Sequence, residues 1–311
     1  MNKPLLSICI PTYNRSEYLI RCLDAIIEQD AFDDRVEVVI SDNCSTDETQ
    51  LVALKYSKQY DNIHYYRNDY NRKDENFSLA LQRATGHLRK LTNDTILYLP
   101  GAIKFILDAI ESNIADRPQL FFLNSGEQGC SEELVTDLNS YVKTLSFRLT
   151  WIGSFAVWEE DLGAIDVLTQ NAHTRLGQVP FLINNFETKK KAIIYSKKIM
   201  ESIPPMKKDL SYGLHKVFYE NFLGYIRELV GSQKITSDCY DHVKKDILFN
   251  FFYGWILEWD SRNEEYIFSE ENLIGLIDKE YWKETYFLKY KANYYMYKIK
   301  RIVKKLLGRT Y

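Results

Sequence analysis

Over the first hundred residues, apolar and polar positions come in short blocks whose period switches back and forth. Leu5 to Ile10 is a nearly continuous apolar run, the pattern of a parallel strand buried on both faces, and Pro11 ends it. Ser16 is a candidate N-cap for a helix in which Leu19, Ile20, Leu23, Ile26 and Ile27 recur at three- and four-residue steps. Val36 to Ile40 predicts a second strand, stopped by Ser41-Asp42-Asn43. Ser45-Thr46-Asp47-Glu48 supplies the oxygens and negative charge that suit a helix N-terminus, and that helix runs to about Tyr60. Ile63 to Tyr66 reads as a third strand and Asn76 to Ala84 as a third helix, with Asn76 a candidate N-cap. Leu88 to Leu91 makes a fourth strand, and Pro100-Gly101 starts a helix over Ala102 to Glu111. Strand and helix alternating in this way predict an α/β fold, with a mostly parallel sheet, right-handed crossovers and helices on both faces.

Beyond Leu120-Phe121-Phe122-Leu123 the pattern is less regular, with strands expected around Ser154 to Trp158 and Ala192 to Tyr195. After Pro204-Pro205 the text is mostly helical and rich in Tyr, Phe, Leu and Lys. The expected division is therefore a domain over residues 1–205 and a helical region over 206–311, with no internal repeat. In open α/β sheets, ligands collect outside the carboxyl ends of the strands. Pro11-Thr12-Tyr13-Asn14, Ser41-Asp42-Asn43 and Asn93-Asp94 all fall at such ends, so segments far apart in sequence are expected to converge on one cleft.

Composition changes this picture only at the chain ends. With 45% hydrophobic and 27% charged residues, the chain has the make-up of an ordinary folded protein. Five cysteines without CxxC spacing indicate neither a zinc cage nor a disulfide framework, and fit a reducing compartment. The first apolar run is far shorter than a membrane span and follows Met-Asn-Lys-Pro without a cleavage pattern, so a cytoplasmic protein is expected.

The net charge of -3 hides an asymmetry, because Lys289 to Tyr311 holds eight Lys or Arg and no acid. On a helix, Tyr295, Met296, Ile299, Ile302, Val303, Leu306 and Leu307 gather on one face, with Lys298, Lys300, Arg301, Lys304 and Lys305 opposite. That is the pattern of an in-plane helix on an anionic membrane surface, and it predicts peripheral attachment through 289–311 at the inner face of the cytoplasmic membrane. A terminal helix packed on its own domain is the plainer reading. Nucleic acid is disfavoured, since the aromatics lie on the apolar side.

Three segments occur in order: Leu6-Ser7-Ile8-Cys9-Ile10-Pro11-Thr12-Tyr13-Asn14-Arg15, Ile40-Ser41-Asp42-Asn43-Cys44-Ser45-Thr46-Asp47 and Ala84-Thr85-Gly86. Together they resemble the opening of a family 2 glycosyltransferase with a GT-A fold, and the resemblance extends to about Ala115. It implies transfer of a sugar from a nucleoside diphosphate donor, most commonly UDP, to a growing lipid-linked glycan of a bacterial capsule or O-antigen, with inversion. It also implies that Pro11, Thr12, Tyr13, Asn14, Arg15, Asp42, Asn43, Asn76 and Asn93 bind the nucleotide sugar, where backbone groups and a carboxylate acceptor fix base and ribose.

Relatives usually carry an Asp-x-Asp-like motif after the fourth strand, where a carboxylate holds Mn or Mg against the donor diphosphate. Here the segment is Lys90-Leu91-Thr92-Asn93-Asp94-Thr95. A single carboxylate, Asp94, is left for the ion; Asn93 offers only a carbonyl, so weaker retention of the metal is expected. An inverting enzyme also needs a general base. The segment Leu176-Gly177-Gln178-Val179-Pro180, where relatives place it, has no acid. The nearest acidic cluster is Glu159-Glu160-Asp161, which makes Glu160 and Asp161 the candidate bases, and His173 is a further possibility.

The missing second acid and the unlocated base motivate an alternative, a catalytically weak glycosyltransferase-like subunit that binds nucleotide or glycan and scaffolds an assembly complex. A nucleotidyltransferase is disfavoured, because no Gly-rich phosphate loop follows the first strand.

Overall fold

The computed structural model describes residues 3–125, 131–203, 208–262, 264–270 and 272–306. Cys130, Pro204-Pro205, Leu307 and the last four residues of the tail lie outside them. The chain forms two compact units, Met1–Pro205 and Met206–Tyr311.

The first unit is built on an eight-stranded sheet. Its strands are β1 (Leu6–Thr12), β2 (Val36–Asp42), β3 (Ile63–Arg67), β4 (Leu88–Leu91), β6 (Gln119–Phe122), β7 (Ser131–Val135), β8 (Phe155–Trp158) and β9 (Ala192–Ser196), with a small pair, β5 (Ile96–Tyr98) and β10 (Met200–Ser202), beside it. Strand order is β3-β2-β1-β4-β8-β6-β9-β7. The first four strands run parallel, with Ile10 opposite Ile40 and Cys9 opposite Leu91. Between and around them lie α1 (Ser16–Ile27), α2 (Thr49–Gln59), α3 (Glu75–Arg83), α4 (Ala102–Asn113), α5 (Leu138–Leu145), α6 (Ile165–Gln170) and α7 (Gln178–Lys189).

Every residue of β1 and of β2 is buried, as the unbroken apolar runs predict. The helical spacing of α1 puts Leu19, Cys22, Leu23 and Ile26 into the core with Ile8, Ile10 and Val38. Each such aliphatic side chain taken fully out of water contributes about 1.5–3 kcal/mol. Buried among the apolar positions of β2 is Glu37, a carboxylate at 1% exposure. It accepts hydrogen bonds from the Ser7 hydroxyl, from Thr85 N at 2.8 Å and from Thr85 Oγ1 at 3.0 Å. A buried carboxylate persists only when so satisfied, and this one fastens the Ala84-Thr85-Gly86 turn to β1 and β2. Gly86 fits there because a Cβ would stand 2.5 Å from Ser7 Oγ. That motif is thus a structural joint of the sheet.

Two departures from the sequence reading bear on the site. β8 runs antiparallel between β4 and β6, with Leu88 opposite Trp158. Its C-terminus therefore points to the end of the sheet where β1 and β4 begin. The helix starts also differ in chemistry. Ser16 and Asn76 do not cap their helices with their side chains; Asp47 instead accepts from the Ser16 and Thr49 amides at 3.1 and 3.0 Å.

The second unit is mainly helical, with α8 (Gly224–Gly231), α9 (Ser237–Ile247), α10 (Tyr253–Ser261), α11 (Leu273–Tyr281), α12 (Phe287–Leu306) and a two-stranded pair, β11 (Lys208–Leu210) and β12 (Tyr266–Phe268). Phe222, Leu223, Leu248, Phe252, Ile277 and Tyr281 are buried within it. α12 buries Tyr290 and Tyr294 but leaves Tyr295, Met296, Ile299, Ile302 and Val303 each about half exposed, at 47–60%. Tail packing explains only part of its apolar surface. No helix among the described residues is long and apolar enough to cross a membrane.

Candidate functional site

The carboxyl ends of β1, β2 and β4 open onto a cavity of about 920 Å³. Pro11, Thr12, Tyr13 and Arg15 line it from the β1 end, Asn43 from the β2 end, Asn93 and Asp94 from the loop after β4, and Asn71 to Phe77 from the approach to α3. Ala172, His173 and Arg175 complete the wall from the segment between α6 and α7. The three loops expected to converge do so, because parallel strands deliver their C-termini to one edge.

Asp94 sits on the floor at 4% exposure. Its Oδ2 accepts from Thr12 Oγ1 at 2.8 Å and its Oδ1 from Arg15 Nη1 at 3.0 Å. Burial raises its pKa above the ordinary carboxylate value, and the charge and hydrogen bond of Arg15, with that of Thr12, oppose the rise. Asn93 lines the cavity beside it.

Asn14 and Asp42, expected to face a nucleotide, do not line the cavity; they shape it. Asn14 adopts a left-handed conformation at φ 52°, which Asn tolerates better than most residues. Its side-chain oxygen accepts from Thr46 N at 2.7 Å. Asp42 is fully buried; its carboxylate accepts from Ser45 N at 2.9 Å and from Tyr65 Oη at 2.8 Å, so both oxygens are engaged. Its neighbour Asn43, just past the end of β2, reaches the cavity, holding Asn71 Oδ1 at 2.9 Å and the Arg72 amide at 2.8 Å.

Asn76 is buried in the first turn of α3. Its amide donates to Ser41 O at 2.8 Å and its oxygen accepts from Ser41 Oγ at 2.6 Å and Asn68 Nδ2 at 3.0 Å. Arg83 closes this network on Ser41 and Asn68, at 2.6 and 2.7 Å. Asn68 and Arg83 carried no sequence signal of their own, since their partners lie on other elements.

Glu160 and Asp161 do not reach the cavity. They follow β8, whose reversed direction puts them at the opposite end of the sheet, next to the start of β4, where Glu159 N donates to His87 O at 3.0 Å. There Glu160 pairs with Arg117 at 2.8 Å and Lys189 at 3.3 Å, Asp161 with Lys189 at 3.1 Å, and Glu159 with Lys3 and with His87 at 2.9 Å. The hydrogen bond from Lys3 leads in holding the Glu159 carboxyl below its usual range. The cluster is an ion-pair network, and the two base candidates are withdrawn on that ground.

The acids that do line the cavity are Asp74, Glu75 and Asp94. Desolvation raises the pKa of Asp74, against the pull of Arg175 at 3.4 Å. Arg15, Arg72, Lys73 and Arg175 stand in the same wall, an excess of cations suited to a phosphorylated ligand. Among the described residues no group of three or more His, Cys, Asp or Glu is placed to cage a metal ion. One buried carboxylate with a carbonyl beside it fits an ion shared with a diphosphate, whose oxygens complete the coordination.

Residues 7–116 match the profile of Glycosyl transferase family 2. The abequosyltransferase RfbV of Salmonella typhimurium is 43% identical over 84 residues, 26% of this chain and 25% of that protein. The GalNAc(5)-diNAcBac-PP-undecaprenol beta-1,3-glucosyltransferase of Campylobacter jejuni is 29% identical over 114 residues, 36% of each chain. These matches span about a quarter to a third of the relatives' lengths. Among solved structures, the mannosyltransferase PcManGT of Pyrobaculum calidifontis, in complex with GDP-Man and Mn2+, superposes with a TM-score of 0.53 over 100% of this chain and 89% of that one, at 14% identity, a likeness of fold. The ordered motifs, the parallel-stranded core and the profile match agree: the chain carries a family 2 glycosyltransferase domain on a GT-A fold.

Proposed function

We propose that the first unit transfers a glycosyl group from a nucleoside diphosphate donor, UDP being the first nucleotide to test, to a growing lipid-linked bacterial surface glycan of the capsule or O-antigen type, with inversion at the sugar carbon. The observation that carries this reading is the placement of buried Asp94, with Arg15, on the floor of a cation-rich cavity at the carboxyl ends of β1, β2 and β4. Nucleotide would lie between the β1 end and the approach to α3, against Pro11, Thr12, Tyr13 and Asn43. Asn14, Asp42 and Asn76 hold those walls in place. Asp94, with Asn93, would hold a Mn or Mg ion against the diphosphate; such an ion offsets charge on the departing nucleotide. Arg15 and the cations of the α3 approach bind and orient phosphate oxygens, in a site whose burial strengthens every such contact.

Titration calorimetry with UDP and GDP, with and without Mn2+, tests the donor site. Micromolar binding of one nucleotide that Mn2+ tightens is expected, and no binding of either refutes the proposal. Tight binding with no turnover of any sugar donor would favour the scaffold reading, which the single carboxylate motivates.

The relative from Campylobacter jejuni is named for an undecaprenol-linked acceptor, and the exposed apolar stripe of α12 backed by Lys298, Lys300 and Arg301 supports contact with an anionic membrane. Attraction of about 1 kcal/mol per basic residue near such a surface predicts that replacing Lys298, Lys300 and Arg301 together by Gln weakens sedimentation with phosphatidylglycerol vesicles by about a hundredfold. Unchanged sedimentation would remove the membrane from the proposal.

A further inference from the structure

We infer that His173 is the general base that takes the proton of the attacking hydroxyl. This rests on the glycosyl-transfer reading above and supplies the group that reading lacks. His173 lines the cavity that holds Asp94 and is exposed, where an acceptor arriving from solvent can meet it. Its Nδ1 lies 3.0 Å from the carbonyl oxygen of Gln170. A carbonyl only accepts, so Nδ1 carries a proton and, in the neutral ring, Nε2 carries the lone pair. Among the described residues Nε2 has no partner. That tautomer leaves Nε2 of a cavity-lining residue as the nitrogen that can accept a proton, as a base requires.

The loop that presents His173 is built to stay in place. Asn171 Nδ2 donates to Val167 O at 2.8 Å, and Thr174 Oγ1 donates to Asn171 O at 2.7 Å while accepting from Leu176 N at 3.1 Å. Thr169 Oγ1 donates to Ser78 Oγ at 2.9 Å, tying α6 to α3 on the donor side of the cavity. At Gly177 a Cβ would stand 2.2 Å from Leu168 O, so only glycine lets the loop turn back onto α6 and into α7.

Two other acids of the cavity are already engaged. Both Asp94 oxygens accept from Thr12 and Arg15, and Asp74 faces Arg175 at 3.4 Å. Glu75, in the first turn of α3, is the competing acid of the cavity. In the step itself the acceptor oxygen bonds to the sugar carbon as the bond from that carbon to the donor phosphate oxygen breaks. The hydroxyl proton goes to Nε2 and the electron pair leaves with the nucleoside diphosphate. Imidazolium then returns the proton to solvent.

The test uses the full chain with UDP-glucose, UDP-GlcNAc and GDP-mannose, water serving as acceptor, and reads nucleoside diphosphate release from pH 5 to 9 beside nucleotide binding. His173→Ala and His173→Gln are expected to lose about 10²–10⁴ in turnover with nucleotide affinity kept. The acid limb of the turnover profile should flatten, and added imidazole should restore part of the His173→Ala rate. Turnover within about threefold of wild type in both variants, or a loss of that size only in Asp74→Asn or Glu75→Gln, would overturn the assignment. Wild type that binds nucleotide and turns over none of these donors overturns it too. Failure of wild type to bind UDP or GDP is a separate result, and refutes the donor site itself.

Discussion

The first unit has two acidic clusters at opposite ends of one sheet, and their fates differ. At the carboxyl ends of the parallel strands, Asp74, Glu75 and Asp94 face a cavity of about 920 Å³ among four cations. At the other end, Glu159, Glu160 and Asp161 are matched by Lys3, His87, Arg117 and Lys189. In the first group Asp94 and Asp74 also pair, with Arg15 and Arg175, but they do so in the wall of an open cavity that Arg72 and Lys73 line as well. The second has already spent its charges on one another. Acid content alone does not mark a site; what counts is whether the surrounding cations are placed for a ligand or for the acids themselves.

The largest effect that could break this contrast is expected at Asp94. Asp94→Ala should lower turnover by about 10²–10³-fold, the scale of losing one group that stabilises developing charge, with the circular dichroism spectrum unchanged. Turnover within tenfold of wild type would detach the floor of the cavity from the chemistry.

A smaller effect sharpens the electrostatics. Because burial raises the Asp94 pKa, its anionic form, and with it Mn2+-dependent nucleotide binding, is present above that raised value and lost as pH falls through it. That loss should begin above the range near pH 4 where free carboxylates titrate. Arg15 opposes the rise, so Arg15→Ala should shift the loss to higher pH; calorimetry with UDP and Mn2+ across pH 5 to 8 reads it. A shift to lower pH would mean that Arg15 does not act on Asp94 through its charge.

The smallest effect is expected at the far end. Glu160→Gln and Asp161→Asn should leave turnover within about twofold, and Glu160→Gln, at a partly exposed ion pair, should cost roughly 0–1 kcal/mol in urea unfolding. A large loss of turnover in either variant would collapse the distinction between the two ends.

Much of the sheet was legible because its signals are local. Leu5 to Ile10 and Val36 to Ile40 announce buried parallel strands by being apolar throughout, and α1 announces itself by its spacing. The convergence of Thr12, Asn43 and Asp94 followed from strand direction alone. The direction of β8 was not legible, since a short apolar strand looks the same run either way, and with it went the position of Glu160 and Asp161. Nor could the sequence show that Asp42 turns inward to Tyr65 and Ser45 while Asn43 turns outward. Neighbouring residues at a strand end differ by one step of the pleat, and which side is open depends on what packs there.

By itself the sequence determined the order of strands and helices over about the first hundred residues, the family that this stretch resembles and the single carboxylate left for an ion, because each is written in residue type and spacing. Only the tertiary structure decided which charges face a ligand and which face each other. That depends on strand direction and on partners from distant segments, such as Arg15 with Asp94 or Lys189 with Asp161, and no local pattern encodes such pairings.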